Sequence, residues 1–121
     1  RYGVFEMGMN HAGEIRALTA QVRPHIAMIT TIAPAHIENL GTLEAIADAK
    51  AEIFEGLEPG GTAILPFDSE WHDHLLVAAR RHAARTLSFG TREGAGVRAH
   101  DWVADPESGG SLITADVEGS T

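Results

Sequence analysis

Between Tyr2 and Phe89, short apolar and β-branched runs alternate with longer runs of helical periodicity. Tyr2-Gly3-Val4-Phe5-Glu6-Met7 predicts a buried strand. Ile15, Leu18 and Val22 then recur at the spacing of one helix face, and Pro24 marks the stop. His25 to Ile32 predicts a second strand. Leu43 to Phe54 predicts a helix, with Thr42 as N-cap and Gly56 at its end. After the turn Pro59-Gly60-Gly61, residues Thr62 to Leu65 predict a third strand, Glu70 to Arg85 a third helix and Thr86 to Phe89 a fourth strand. The stretches 8–13 and 34–41 predict loops. Strands that alternate with helices imply βαβ units. The expected class is therefore α/β, a mostly parallel sheet with flanking helices. Beyond Gly90 the pattern changes. Val97 to Ala104 and Ser111 to Val117, joined by Asp105-Pro106-Glu107-Ser108-Gly109-Gly110, predict a C-terminal β-hairpin. The expected organisation is one partial domain over 1–121, with a βαβ core at 1–90 and the hairpin extension at 91–121.

Charge narrows the partners. The chain has 9 Lys and Arg against 17 Asp and Glu, a formal net charge of −8. It lacks the cationic surface that phosphate contacts need, which argues against nucleic acid and anionic membranes. There is no Cys, so disulfides and thiolate metal sites are excluded. No apolar run approaches the roughly 20 residues of a membrane helix. The densest, Ile26 to Ala33, is broken by Thr30 and Thr31. A mean hydropathy of −0.07 fits a folded chain. The chain opens on Arg1 rather than Met, without a leader pattern, and this predicts a piece of a longer protein.

Ligands of open parallel sheets bind beyond the carboxyl ends of the strands. Glu6 ends the first predicted strand and shares a face with Tyr2 and Val4. A carboxylate among apolar residues needs a partner, so Glu6 reads either as an edge or salt-bridged residue or as a metal-binding or catalytic one. His36 follows the second predicted strand in Ala33-Pro34-Ala35-His36-Ile37-Glu38, on the same expected edge. It reads either as a hydrogen-bonded loop residue or as a ligand. Of nine basic residues eight are arginine, and Lys50 is the only lysine. At about 100° per residue, Leu43, Ile46, Ala47, Ile53 and Phe54 form one stripe, and Lys50 falls inside it. The acidic Glu44, Asp48, Glu52 and Glu55 fall mostly away from it. Lys50 either lays its stem along the core with its amine in water or serves a function. A carboxylate and an imidazole at one sheet edge suit a divalent cation such as Mg²⁺ or Mn²⁺.

Other motifs fail on their neighbours. Gly8 to Gly13 has the glycine frame of a phosphate-binding loop, but Glu14 and Ile15 stand where Lys and Ser or Thr are required. Gly94-Ala95-Gly96 opens no helix, so a dinucleotide site is excluded. His72 and His74 are two apart, and on a helix they do not share a face. Trp71 and Trp102 read as packing residues.

Three ordered segments carry a family resemblance. Val4-Phe5-Glu6-Met7-Gly8-Met9-Asn10-His11-Ala12-Gly13-Glu14-Ile15 resembles an E-[LM]-G-x-N-H-x-G-E-I pattern. Thr31-Ile32-Ala33-Pro34-Ala35-His36-Ile37-Glu38 resembles N-[IL]-x-x-A-H-[IL]-E. Ala49-Lys50-Ala51-Glu52-Ile53-Phe54 resembles A-K-x-E-I-F. These patterns belong to the Mur ligases, in the branch that joins D-alanyl-D-alanine to UDP-N-acetylmuramoyl-tripeptide in peptidoglycan synthesis. Thr31 and Pro66 depart from the usual asparagines, whereas Asp68 keeps its place. The resemblance implies Glu6 and His36 as magnesium ligands, Lys50 as a carbamylated lysine, and Asn10 and His11 beside the muramoyl-peptide. It implies a cytoplasmic ATP-dependent ligase acting through an acyl phosphate, with Mg²⁺ stabilising the transferring phosphoryl group. The family's phosphate loop precedes the segment corresponding to Tyr2. The 121 residues alone are therefore expected to be inactive, with exposed sheet edges that invite self-association. A non-catalytic α/β binding module is the competing reading. A folate-polyglutamate or cyanophycin type of ligase is a further one, against which the Asn10-His11 context argues.

Overall fold

The short β-branched and apolar runs form the parallel ladder expected of them. A computed structural model describes residues 1–35 and 37–118 of the chain. Strand β1 (Ile26–Met28) pairs in parallel with β2 (Thr62–Pro66), and β2 in parallel with β3 (Arg85–Gly90). Strand β4 (Val97–Asp105) joins β3 in parallel through only two pairs, Phe89 with Val97 and Gly90 with Arg98. Strand β5 (Gly110–Val117) returns antiparallel along β4. The sheet order is β1-β2-β3-β4-β5. The predicted hairpin is thus part of the same sheet. A register shift between Ala99 and Asp101 places a bulge at His100.

The helices are α1 (Glu14–Val22), α2 (Ile37–Leu40), α3 (Leu43–Ala51) and α4 (His72–Ala79). A 3₁₀ helix, Glu52–Gly56, continues directly from α3. The Thr42 side chain accepts the Ala45 N–H and caps α3 as its residue type predicts. The main core joins Ala27, Ala63 and Leu65 of the sheet to Ala47, Phe54 and Leu75 of the helices. A second core of Met9, Ile15, Ile46 and Ala49 fastens α1 and its approach to α3. The other sheet face is open, with Met28 and Leu87 exposed in register with Ile64 between them.

Five expectations change. Of the second predicted strand, His25 to Ile32, only Ile26–Met28 is strand, because parallel pairing with β2 reaches no further than Met28. Tyr2 to Met7 is not a strand, and Tyr2, Val4 and Phe5 stand exposed. A strand needs a neighbour to take its backbone groups, and no described residue does so. The 34–41 loop contains the short helix α2. The helix expected over 43–54 tightens to 3₁₀ after Ala51. The third helix ends at Ala79, because the chain must turn through residues 80–84 to enter β3.

Candidate active-site edge

Lys50 occupies the stripe of α3 predicted for it and is half-buried. Its Nζ donates to the Thr31 carbonyl oxygen at 2.8 Å. That partner is neutral, so the hydrogen bond offsets only part of the cost of removing the charge from water. Burial pushes the amine below its ordinary value. The contact ties the third sequence segment to the second.

Asn10 and His11 lie in the turn before α1, and both are exposed. Glu14 holds that turn, since its Oε2 accepts the Asn10 N–H at 2.6 Å and the His11 N–H at 3.3 Å. His11 Nδ1 lies 3.4 Å from Glu14 Oε1. The Asn10 amide, then the His11 amide, hold the Glu14 carboxyl below its ordinary value. Gly13 is the N-cap of α1 at φ 91°, and it offers no side chain to the free N–H groups of the helix. Glu52 supplies one from 39 residues away. Its carboxylate accepts the Gly13 N–H at 2.9 and 3.1 Å and the Arg16 N–H at 3.0 Å. Glu52 is only 6% exposed, and Arg16 Nη2 stands 3.7 Å from it. Arg16 also binds Glu55 through Nε at 2.6 Å and Nη2 at 3.0 Å. The first sequence segment is therefore fastened to the third.

Beyond the carboxyl ends of β1, β2 and β3 lies a cavity of about 350 Å³. Thr30, Thr31, Pro66, Trp71 and Phe89 line it together with Asp68. Asp68 Oδ2 accepts the Thr91 N–H at 2.7 Å and the Thr91 hydroxyl at 2.8 Å, and Oδ1 accepts the Arg92 N–H at 3.1 Å. The Thr91 amide, then its hydroxyl, pull the Asp68 carboxyl below its ordinary value. Gly90 leaves room for this clamp, for a Cβ there would stand 2.5 Å from Asp68 Oδ1. Thr31 both lines the cavity and receives Lys50, so the lysine sits at its border. This is where an open parallel sheet holds its ligand.

Residues 1–119 match the Mur ligase middle domain as a protein family. The chain belongs to the Mur ligase middle-domain family. Its relatives include the UDP-N-acetylmuramoyl-tripeptide–D-alanyl-D-alanine ligases of Haemophilus influenzae, 44% identical over 89 residues, and Escherichia coli K12, 44% identical over 85 residues. These alignments take in 74% and 69% of this chain, but 19% of each relative. Among solved structures, MurF from Acinetobacter baumannii superposes with a TM-score of 0.77 at 33% identity, over 93% of this chain and 26% of that one. The MurF ligase from Thermotoga maritima, in complex with ADP, superposes with a TM-score of 0.76 at 28% identity, over 93% of this chain and 25% of that one.

Within this Mur ligase middle domain, Lys50 and the Asn10-His11 turn are joined to one frame through α3 and the helix that follows it. Glu6 lies on the extended approach to that turn, exposed, with no hydrogen bond or ion pair to another described residue. His36 lies outside the described residues. Among the described residues no three His, Cys, Asp or Glu side chains gather as a metal cluster. No helix among them is long and apolar enough to cross a membrane. Helical periodicity puts Glu52 mostly away from the apolar stripe of α3, yet it is buried. The available signal was a glycine at the start of a helix with no capping side chain nearby in sequence. The Asp68 clamp on Thr91 and Arg92 was also missed, because it spans 23 and 24 residues.

Proposed function

We propose that these residues are the interior of the ATP-using domain of a ligase that adds D-alanyl-D-alanine to UDP-N-acetylmuramoyl-tripeptide in the cytoplasm. The observation that supports this best is the only lysine, half-buried at the sheet edge and bonded to a neutral carbonyl of the second motif. A lowered amine pKa leaves more of the neutral form that adds carbon dioxide. Carbamylation turns the amine into an anionic oxygen donor, compatible with a neighbouring cation.

In the reaction proposed, an oxygen of the tripeptide carboxylate attacks the γ-phosphorus of ATP and ADP leaves, giving an acyl phosphate. The amino group of D-alanyl-D-alanine then attacks the carbonyl carbon. An amide forms, phosphate departs and the amine proton is released. Asn10 and His11 are assigned to binding the muramoyl-peptide. Glu6 and His36 are assigned to Mg²⁺; the unengaged carboxylate of Glu6 suits a hard cation. When bound, Mg²⁺ would stabilise charge on the transferring phosphoryl group.

The complete polypeptide carrying this segment is expected to release ADP and phosphate only when both substrates are present. Its product is the pentapeptide precursor. Lys50→Ala is expected to abolish turnover, and labelled bicarbonate to mark Lys50 in the wild type. An absent ligation product in the wild type would overturn the function, and a bare Lys50 in the working enzyme would overturn the carbamate. The 121 residues alone are expected to show no turnover.

A further inference from the structure

The turn that carries Asn10 and His11 is fastened from two sides. Glu14 lies within the first motif and holds the Asn10 and His11 amides. Glu52 lies outside it and holds the amides of Gly13 and Arg16. Glu52 is two residues beyond Lys50, at the junction where α3 tightens into 3₁₀ geometry. A buried carboxylate is costly unless its oxygens are satisfied, and here backbone N–H groups satisfy them both. The α1 N-terminus has no cap of its own, so this carboxylate sets where the helix begins.

We propose that Glu52 is a positioning residue, fixing the Asn10-His11 turn relative to Lys50 so that the substrate is held against the reacting edge. The proposal rests on the function proposed above for its consequence in catalysis, but not for its geometry. The surrounding contacts agree. Arg16 bridges Glu52 and Glu55, so the α1 side presents both a backbone and a side-chain donor to the 3₁₀ helix. Met9, just before the turn, packs with Ala49, just before Lys50. The turn and the lysine thus share one rigid seat, and Glu52 is its polar fastening. The positions of groups that bind a reactant matter steeply, since displacements near 1 Å can cost on the order of a hundredfold in rate.

The test compares Glu52→Gln and Glu52→Ala with wild type in the complete polypeptide. Hydrogen exchange reads the turn directly. Faster exchange at residues 10–16 in Glu52→Ala, with 43–51 unchanged, is expected. Unchanged exchange at 10–16 overturns the proposal. In the ligation assay, the KM for the muramoyl-tripeptide is expected to rise about tenfold in Glu52→Ala with the KM for ATP unchanged. Glu52→Gln keeps one carbonyl acceptor and is expected to recover part of that loss. A lower melting temperature with both KM values unaltered, or an equal loss for both substrates, makes Glu52 a stabilising cap only and overturns the proposal. If the wild type does not ligate, the proposed function fails, and the exchange measurement alone decides whether Glu52 places the turn.

Discussion

Lys50 and Glu52, two residues apart, fasten different parts of the chain: Lys50 reaches the Thr31 carbonyl, and Glu52 receives the Gly13 and Arg16 amides. The short run from Ala49 to Phe54 is thereby the junction at which the other two motif segments meet. Its conformation has to be fixed for either contact to persist, and Phe54 fixes it.

Phe54 is fully buried between the 3₁₀ helix and the sheet core. Phe54→Ala is expected to lower stability by about 3–5 kcal/mol, the usual range for an aromatic core truncation. Phe54→Leu should lose distinctly less. Urea unfolding of both variants gives the comparison, and equal losses would mean that the core collapses around the cavity.

Gly56 is a contact point between α1 and the 3₁₀ helix. A Cβ there would press into the carbonyl and hydroxyl oxygens of Thr19. Thr19 cannot easily yield, being buried with its hydroxyl donated to the Ile53 carbonyl at 2.8 Å. Gly56→Ala is expected to cost about 1–3 kcal/mol by overpacking. Gly8, with open space around it, provides the control. Gly8→Ala should leave the melting temperature nearly unchanged.

The Lys50 amine predicts a rise of stability with alkaline pH. Its folded pKa lies below the ordinary value of 10.5, so the unfolded chain binds more protons between the two. Stability then increases as pH climbs through the folded value towards the ordinary one. Lys50→Met should abolish this increment. Parallel pH profiles for wild type and variant would show that burial does not penalise the charged amine.

Asp68 predicts the reverse at the acid end. Its folded pKa is lowered by the Thr91 and Arg92 donors. The stabilisation is complete above the ordinary carboxyl value and is lost as pH falls through the folded one. Asp68→Ala should cost about 1 kcal/mol at neutral pH, discounted for solvent, and flatten that acid limb. Denaturation midpoints collected from neutral to strongly acidic pH test both statements.

The isolated 121-residue chain is expected to self-associate. The outer edge of β1 is unpaired among the described residues, and Met28 and Leu87 expose an apolar row on the uncovered sheet face. Sedimentation over a concentration series should show species larger than the monomer, and Leu87→Lys should shift them back. A wild-type monomer at every concentration would defeat this expectation.

Much of the fold was legible because its signals are local. The Thr42 cap, the stop at Pro24 and the short apolar runs of β1 and β2 each carry their instruction within a few residues. The Lys50 anomaly was equally local, a cation inside an apolar stripe. Tyr2 to Met7 was not, since a strand-like run reports its propensity and not whether a ladder partner exists. The burial of Glu52 was not legible, because helical periodicity ranks residues by face, whereas α1 crosses the polar face here and covers it. The Asp68 clamp links the ends of two strands, and no short window contains both.

The union of β3 and β4 by two residue pairs has a mechanical meaning. From Ala99 to Asp105, β4 continues past β3 with β5 alone at its side among the described residues, an overhang of roughly 20 Å at strand spacing. The ribbon is a beam built in at one end. A tilt of about 5° at Phe89 and Gly90, hardly visible at the root, would carry the Asp105–Gly110 tip through about 2 Å over such a span. Gly90, the narrow seat under the Asp68 clamp, lies at the root, so the same few atoms that border the cavity also set the aim of the beam.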